Sequence, residues 1–310
     1  MIAHQLALLK REFWEHRSIW ITPVAVAIVM VLVVTAIIIA VAVIGQTHHP
    51  EVERLADATL PEEYRRAGFA VFLLVFSTVF IAAMWFVVIF YSLDSLYAER
   101  RDRSILFWRS LPITDSETVV SKLLTAVLAI PIATMAVIMV SHLVWLILLS
   151  IWLGIEGANP FRFVWGAVPL FETWAALFIL LLAIPIWFAP LLGWFLFISA
   201  WAKRGPLLRA ALPIAILPIL AYIVFRTWDL AFAILERLSF VALPIYNISD
   251  FAERVDDDNL VKILAEAGGN PTAVLDLGKF FTSIEVWAGM VICGLFVTSA
   301  IYVRRFKDDS

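Results

Sequence analysis

Long apolar stretches separated by short charged ones dominate this chain. Residues 19–44, 69–93, 123–155 and 173–202 run without Asp, Glu, Lys or Arg, and each exceeds the roughly 20 apolar residues a helix needs to cross a hydrocarbon core of about 30 Å. Two shorter runs, 210–225 and 286–303, complete the set; the first reaches spanning length when its flanks join it, as 207–226. The pattern predicts an all-α integral membrane protein of six transmembrane helices, one domain over residues 1–310.

The remaining segments carry their own periodicity. Ahead of the first span, Ile2, Leu6, Leu9, Phe13 and Trp20 recur at helical spacing, with Lys10, Glu12, Glu15 and Arg17 on other faces. This predicts an interfacial helix over 1–18, lying along the membrane surface. Between spans two and three, residues 94–116 mix charges with large aromatics, and Thr114 with Glu117 forms a capping box that should start the third span. A second box, Thr59 with Glu62, should start the helix leading into span two. Residues 227–285 form a small helical segment. In it Leu230, Ile234, Leu238 and Val241 make one apolar stripe, 256–266 a second helix ending at Gly268-Gly269, and Asn270-Pro271 the start of a third. At this length it cannot bury a large core alone and should pack on the ends of the spans or on a partner. Pro131, Pro185, Pro190, Pro213 and Pro218 fall inside spans, where each removes a backbone hydrogen bond, so kinks are expected. Ala40-Val41-Ala42 has the form of a peptidase site, but the apolar run before it is too long for a signal core and reads as a retained helix.

Composition agrees with membrane burial: 63% of the 310 residues are hydrophobic and 16% charged, with a mean hydropathy of +0.93. Charge gives the orientation. Of the 23 basic residues, 14 fall on the side that holds both termini, among them Lys10, Arg11, Arg100, Lys122, Arg304 and Arg305. Of the 26 acidic residues, 17 fall on the other side. The positive-inside rule then places both termini in the cytoplasm. The basic residues there read as topology signals and lipid-headgroup contacts, and nothing in the balance points to nucleic acid.

Chemistry is sparse. There is no phosphate-loop, H-E-x-x-H or G-x-S-x-G motif, so no nucleotide, zinc or acyl-transfer site of the familiar kind. The single cysteine, Cys293, excludes an intrachain disulfide. His48 and His49 are adjacent in a loop and read as solvent-exposed rather than as a metal site. His142 is the one ionisable residue well inside a span. It is either hydrogen-bonded between helices or a lining residue of a translocation path.

The stretch Glu99-Arg100-Arg101-Asp102-Arg103-Ser104-Ile105-Leu106-Phe107-Trp108-Arg109-Ser110-Leu111-Pro112-Ile113, with Lys122 at the start of the next span, resembles the corresponding loop of the ABC type-2 transporter permeases. In that family a charged, Arg-rich segment leads to a Leu-Pro turn and a helix beginning near a Lys. Where the commoner form has Gly-Thr and a nearby Glu, this chain has Arg103, Ser104 and Leu106. The layout is also similar: interfacial N-terminal helix, six spans of the type V exporter-like kind, a cytoplasmic coupling helix between spans two and three, and a helical outer segment between spans five and six. The resemblance implies a permease subunit in a bacterial cytoplasmic (inner) membrane. It would pair with a second permease copy and with separate ATP-binding subunits, which would hold ATP and Mg; this chain would hold no cofactor, catalyse nothing itself, and export a substrate. By the same resemblance Tyr97, Glu99, Arg100, Arg101, Arg103, Phe107, Trp108, Arg109 and Pro112 would couple to the ATPase. The alternatives are a non-transporting component or sensor working with an ATPase, and a membrane-embedded lipid- or peptide-modifying enzyme. The last requires polar residues clustered at one membrane depth, which the spans do not offer.

Overall fold

The computed structural model describes residues 2–45, 61–104, 113–240, 242–247 and 259–306. Among them six helices are long and apolar enough to cross a membrane. Beside the helices there is one isolated antiparallel bridge, Tyr246 with Leu275. In chain order the elements are α1 (Ile2–Glu15), α2 (Ser18–Gly45), α3 (Glu62–Arg101), α4 (Asp115–Leu124), α5 (Ile130–Ile155), α6 (Leu170–Trp187), α7 (Ala189–Trp201), α8 (Pro206–Phe225), α9 (Asp229–Leu238), α10 (Leu260–Glu266), α11 (Leu277–Thr282) and α12 (Ile284–Phe306). Helix α1 and the last turn of α12 both meet α4, through Glu12 with Lys122 and Arg304 with Asp115, and so lie at one end of the bundle, called here the terminal end.

Helix α3 is 40 residues long, about 60 Å at the usual rise, twice the hydrocarbon thickness. Its last turns, from Asp94, therefore continue past the apolar run, and Tyr97 to Arg101 extend the span as one rod. Up to Ser104 the described residues hold no separate coupling helix between spans two and three; the chain turns only at Asp102 and Arg103, the latter at φ 56°. Residues 105–112, with Phe107, Trp108, Arg109 and Pro112, lie outside the described residues, as does Thr59 of the expected capping box before α3. The other box is present. The Glu117 amide donates to Thr114 Oγ1 at 3.1 Å and the Thr114 amide to Glu117 Oε2 at 2.9 Å, so α4 starts where the sequence indicates.

Prolines act differently from span to span. A five-residue π turn, Thr125–Ala129, links α4 to α5, widening the rod just before Pro131 so that the missing amide and the ring are accommodated without a break. The run 173–202 does break: α6 ends at Trp187 and α7 begins at Ala189, with Phe188 at ψ 10° between them. Pro190 has no amide to continue the ladder there. Pro213 and Pro218 sit inside α8, which runs unbroken.

The main core lies between α2, α3, α5 and α6 around Phe80, Met84, Ile138 and Trp145. A second seam joins α7 to α12, where Gly193 meets Cys293. At the opposite end of the bundle, the far end, α10 packs Leu264 and Ala265 onto Ala67 and Ala70 of α3. Gly269, at φ 70°, lets the chain pass against Arg66; a Cβ there would collide with that side chain. The expected packing of this segment on the spans thus holds for α10. Helix α9 has no fully buried side chain, but Arg237 lies over the Trp187 ring of α6 at 3.8 Å and donates to the Glu285 carbonyl.

Candidate functional site

The terminal end contains a buried ionic network that ties four helices together. Lys122 of α4 is 0% exposed, Glu12 of α1 1%, Glu99 of α3 3% and Arg304 of α12 5%. Lys122 Nζ lies 3.0 Å from Glu12 Oε1 and 2.9 Å from Glu99 Oε1. Arg304 takes the other Glu99 oxygen through Nη1 at 2.6 Å and Asp115 Oδ1 through Nε at 2.9 Å. Tyr91 donates its hydroxyl to Glu12 Oε2 at 2.8 Å, and Arg11 reaches Glu99 at 3.4 Å. Three acids, Glu12, Glu99 and Asp115, thus face three bases, Arg11, Lys122 and Arg304. Charges this deep persist only when paired and hydrogen-bonded on nearly every atom, which is the case here.

The network gives two residues surroundings that pattern along the chain does not report. Glu12, assigned by pattern to the polar face of α1, is the most deeply buried charge of that helix, because Lys122 and Tyr91 wait on the facing helices. Glu99, placed by the family resemblance among residues facing an ATPase, points into the bundle. Arg100 also turns inward. Its guanidinium donates to the carbonyls of Ser199 and Ala202, closing the end of α7, where such carbonyls otherwise lack partners. Ser199 Oγ in turn accepts from the amides of Leu96 and Tyr97 at 3.1 and 3.0 Å. Arg101 and Arg103 are exposed. Arg101 pairs with Asp102 at 2.9 Å and lies over the half-buried Tyr97 ring at 5.7 Å. The candidate residues therefore divide into an inward pair, Glu99 and Arg100, and an outward turn, Arg101 and Arg103.

Burial alone would raise the Glu12 carboxyl, but Lys122, His16 and the Tyr91 hydroxyl outweigh it and hold it below its ordinary value of 4.5. A carboxyl depressed on folding contributes stability that is complete above its unfolded value and is lost as pH falls through the lower folded one. The unfolding temperature in detergent should therefore fall as pH drops below that ordinary value. In Glu12→Gln this fall should be smaller, from a lower starting point. Equal pH slopes in the two proteins would show that Glu12 is not held this way.

His142 sits at mid-bundle and is fully buried. Trp174 Nε1 donates to its Nδ1 at 3.2 Å, its Nε2 lies 3.0 Å from Ser77 Oγ, and Ser77 donates to the Leu73 carbonyl at 2.7 Å. With Nδ1 accepting, the ring proton belongs on Nε2, and every polar atom of the chain Trp174–His142–Ser77–Leu73 is used. His142 thereby joins α6, α5 and α3. Among the described residues no group of three or more His, Cys, Asp or Glu could hold a metal ion.

In the sequence Lys122 read as a landmark of the loop motif and as one of the basic residues set to topology and lipid headgroups; the structure buries it completely instead. Its signal was its place among Thr118, Val119, Ser121, Thr125 and Ala126, with Asp115 two turns earlier as the other charge of that face. No family model, no curated protein and no solved structure matches the chain.

Proposed function

We propose that this chain is the membrane-spanning permease subunit of an ATP-driven exporter, with both termini in the cytoplasm and the segment from Asp102 to Thr114 receiving force from a separate ATP-binding subunit. The observation that carries this reading is that both ends of the segment are fastened to one guanidinium. Glu99, just before it, and Asp115, just after it, both grip Arg304, while Arg100 holds the end of α7. A push on the segment therefore moves α3, α4, α7 and α12 together, and through Lys122 and Glu12 also α1. A linkage of this kind turns a local displacement into a rearrangement of packed helices. The family resemblance of residues 99–113 supports the same reading. The exposed Arg101 and Arg103 offer the charge by which the partner would dock.

The test is to purify the tagged chain from its native membranes in mild detergent and measure Mg-ATP hydrolysis in the purified complex. Activity and a co-purifying ATP-binding subunit are expected with the natural chain. Both should be lost in the double variant Arg101→Glu, Arg103→Glu, whose unfolding temperature should stay unchanged. A folded chain that brings no ATPase, or a double variant that keeps it, would overturn the proposal.

A further inference from the structure

A cavity of about 490 Å³ opens at the far end between α2, α3 and α5, away from the ionic network. Its walls are almost wholly apolar, from Val34, Ile38 and Val41 of α2 to Phe72 of α3 and Leu149 of α5. Trp145 closes its inner end, edge-on to Phe76 at 5.7 Å. Arg65, in the first turn of α3, is the one charged residue among the described lining residues. Its Nε is buried without a hydrogen-bond partner, and so are the indole N–H groups of Trp145 and Trp152 in the same wall. The cavity runs down α5 from Trp152 to Trp145, about 10 Å at the helical rise. Its size is that of an ordinary small-molecule site.

These features specify an occupant. An apolar shaft of this length suits the first half of an acyl chain, and the Arg65 guanidinium in its lining suits an anion. Unpaired donors in an apolar wall are costly, so a ligand that brings both a tail and acceptor oxygens relieves both at once. We propose that the cavity holds an acyl chain of an anionic phospholipid from the leaflet at the far end, with its phosphate on Arg65 and an ester oxygen on Trp152. The site is independent of the exporter reading and stands or falls separately from it.

Gly68 supplies the test. It lines the cavity, and a Cβ on it would meet nothing within 4 Å, so Gly68→Phe can start into open space and put a ring in the shaft. Gly294, equally open but on α12, provides Gly294→Phe as the control. The purified, delipidated chain would be titrated with dioleoyl phosphatidylglycerol, dioleoyl phosphatidylcholine or oleate, and bound copies counted by native mass spectrometry. One tightly held phosphatidylglycerol is expected, preferred by about tenfold over phosphatidylcholine, which has the same phosphate but brings its choline cation beside the Arg65 guanidinium. Gly68→Phe should lose it, Gly294→Phe keep it, and Arg65→Gln bind both phospholipids equally. Three results would each overturn the proposal: equal binding of the two phospholipids by the natural chain, retention in Gly68→Phe, or oleate binding as tightly as phosphatidylglycerol. Arg65→Gln keeps the headgroup test open should Gly68→Phe not fold.

Discussion

Replacing Lys122 with methionine should lower the stability of the folded bundle by about 3–5 kcal/mol, the usual cost of removing one partner from a buried ion pair. Lys122 is fully buried and bonds to both Glu12 and Glu99. Methionine is unbranched and one atom shorter, so most of the packing survives while two buried carboxylates lose their shared cation. Arg304 and Arg11 still hold Glu99, whereas Glu12 is left with Tyr91, His16 and Arg11 at the longer distance of 4.0 Å. Adding Glu12→Gln to Lys122→Met should therefore recover part of the loss, because it takes away the charge with the poorer remaining company. The chain carries its own reporter: Cys293 is its single cysteine and is buried, so labelling by a thiol-reactive dye during heating reads unfolding directly. Arg101→Ala, at an exposed pair, should leave the labelling temperature unchanged. If Lys122→Met labelled at the same temperature as the natural chain, the network would not be holding the terminal end together.

Which parts of this arrangement could be seen in the sequence follows from the range of the forces involved. The spans were legible because burial in lipid depends on local composition, and the start of α4 because Thr114 and Glu117 satisfy each other three residues apart. The break at Phe188 was legible only as a warning from Pro185 and Pro190: whether a proline kinks, widens or breaks a helix depends on the helices around it, as Pro131, Pro190 and Pro213 show by doing three different things. The ionic network was hidden for a related reason. Glu12 and Glu15 look alike in sequence, yet Glu12 meets Lys122 across 110 positions while Glu15, itself exposed, pairs with Arg11 one turn away. A charge buries itself only if a distant partner arrives, and pattern along one helix does not report the partner. The resemblance of residues 99–113 to a known loop had the same blind spot, grouping Glu99 and Arg100 with Arg101 and Arg103 although the first two face the bundle.

Leucine in place of Gly193 should force α7 and α12 apart. A Cβ at this position would lie 3.0 Å from both the Cα and the carbonyl oxygen of Cys293 and 3.2 Å from its sulfur. The first two are backbone atoms and cannot rotate away, so the helices themselves must move. Small residues permit such close approach between helices in membranes, where packing rather than water drives association. Overpacking of this kind costs about 1–3 kcal/mol, and the gain in helix propensity over glycine, about 1 kcal/mol at most, does not offset it. The consequence should extend beyond the seam. Arg304 lies on α12 eleven residues past Cys293, so a displaced α12 pulls Arg304 from Glu99 and Asp115 and loosens the grip on both ends of the 102–114 segment. Gly193→Leu should therefore label Cys293 faster in the native state and unfold at a lower temperature. Adding Lys122→Met should cost less than the two separate losses combined, since both act on one linkage. Gly294→Leu, one residue from Cys293 but facing open space, should do neither. Labelling of Gly193→Leu at the natural rate would mean that the α7–α12 seam yields without cost, and the mechanical link from the segment to the bundle would then have to run through α1 and α3 alone.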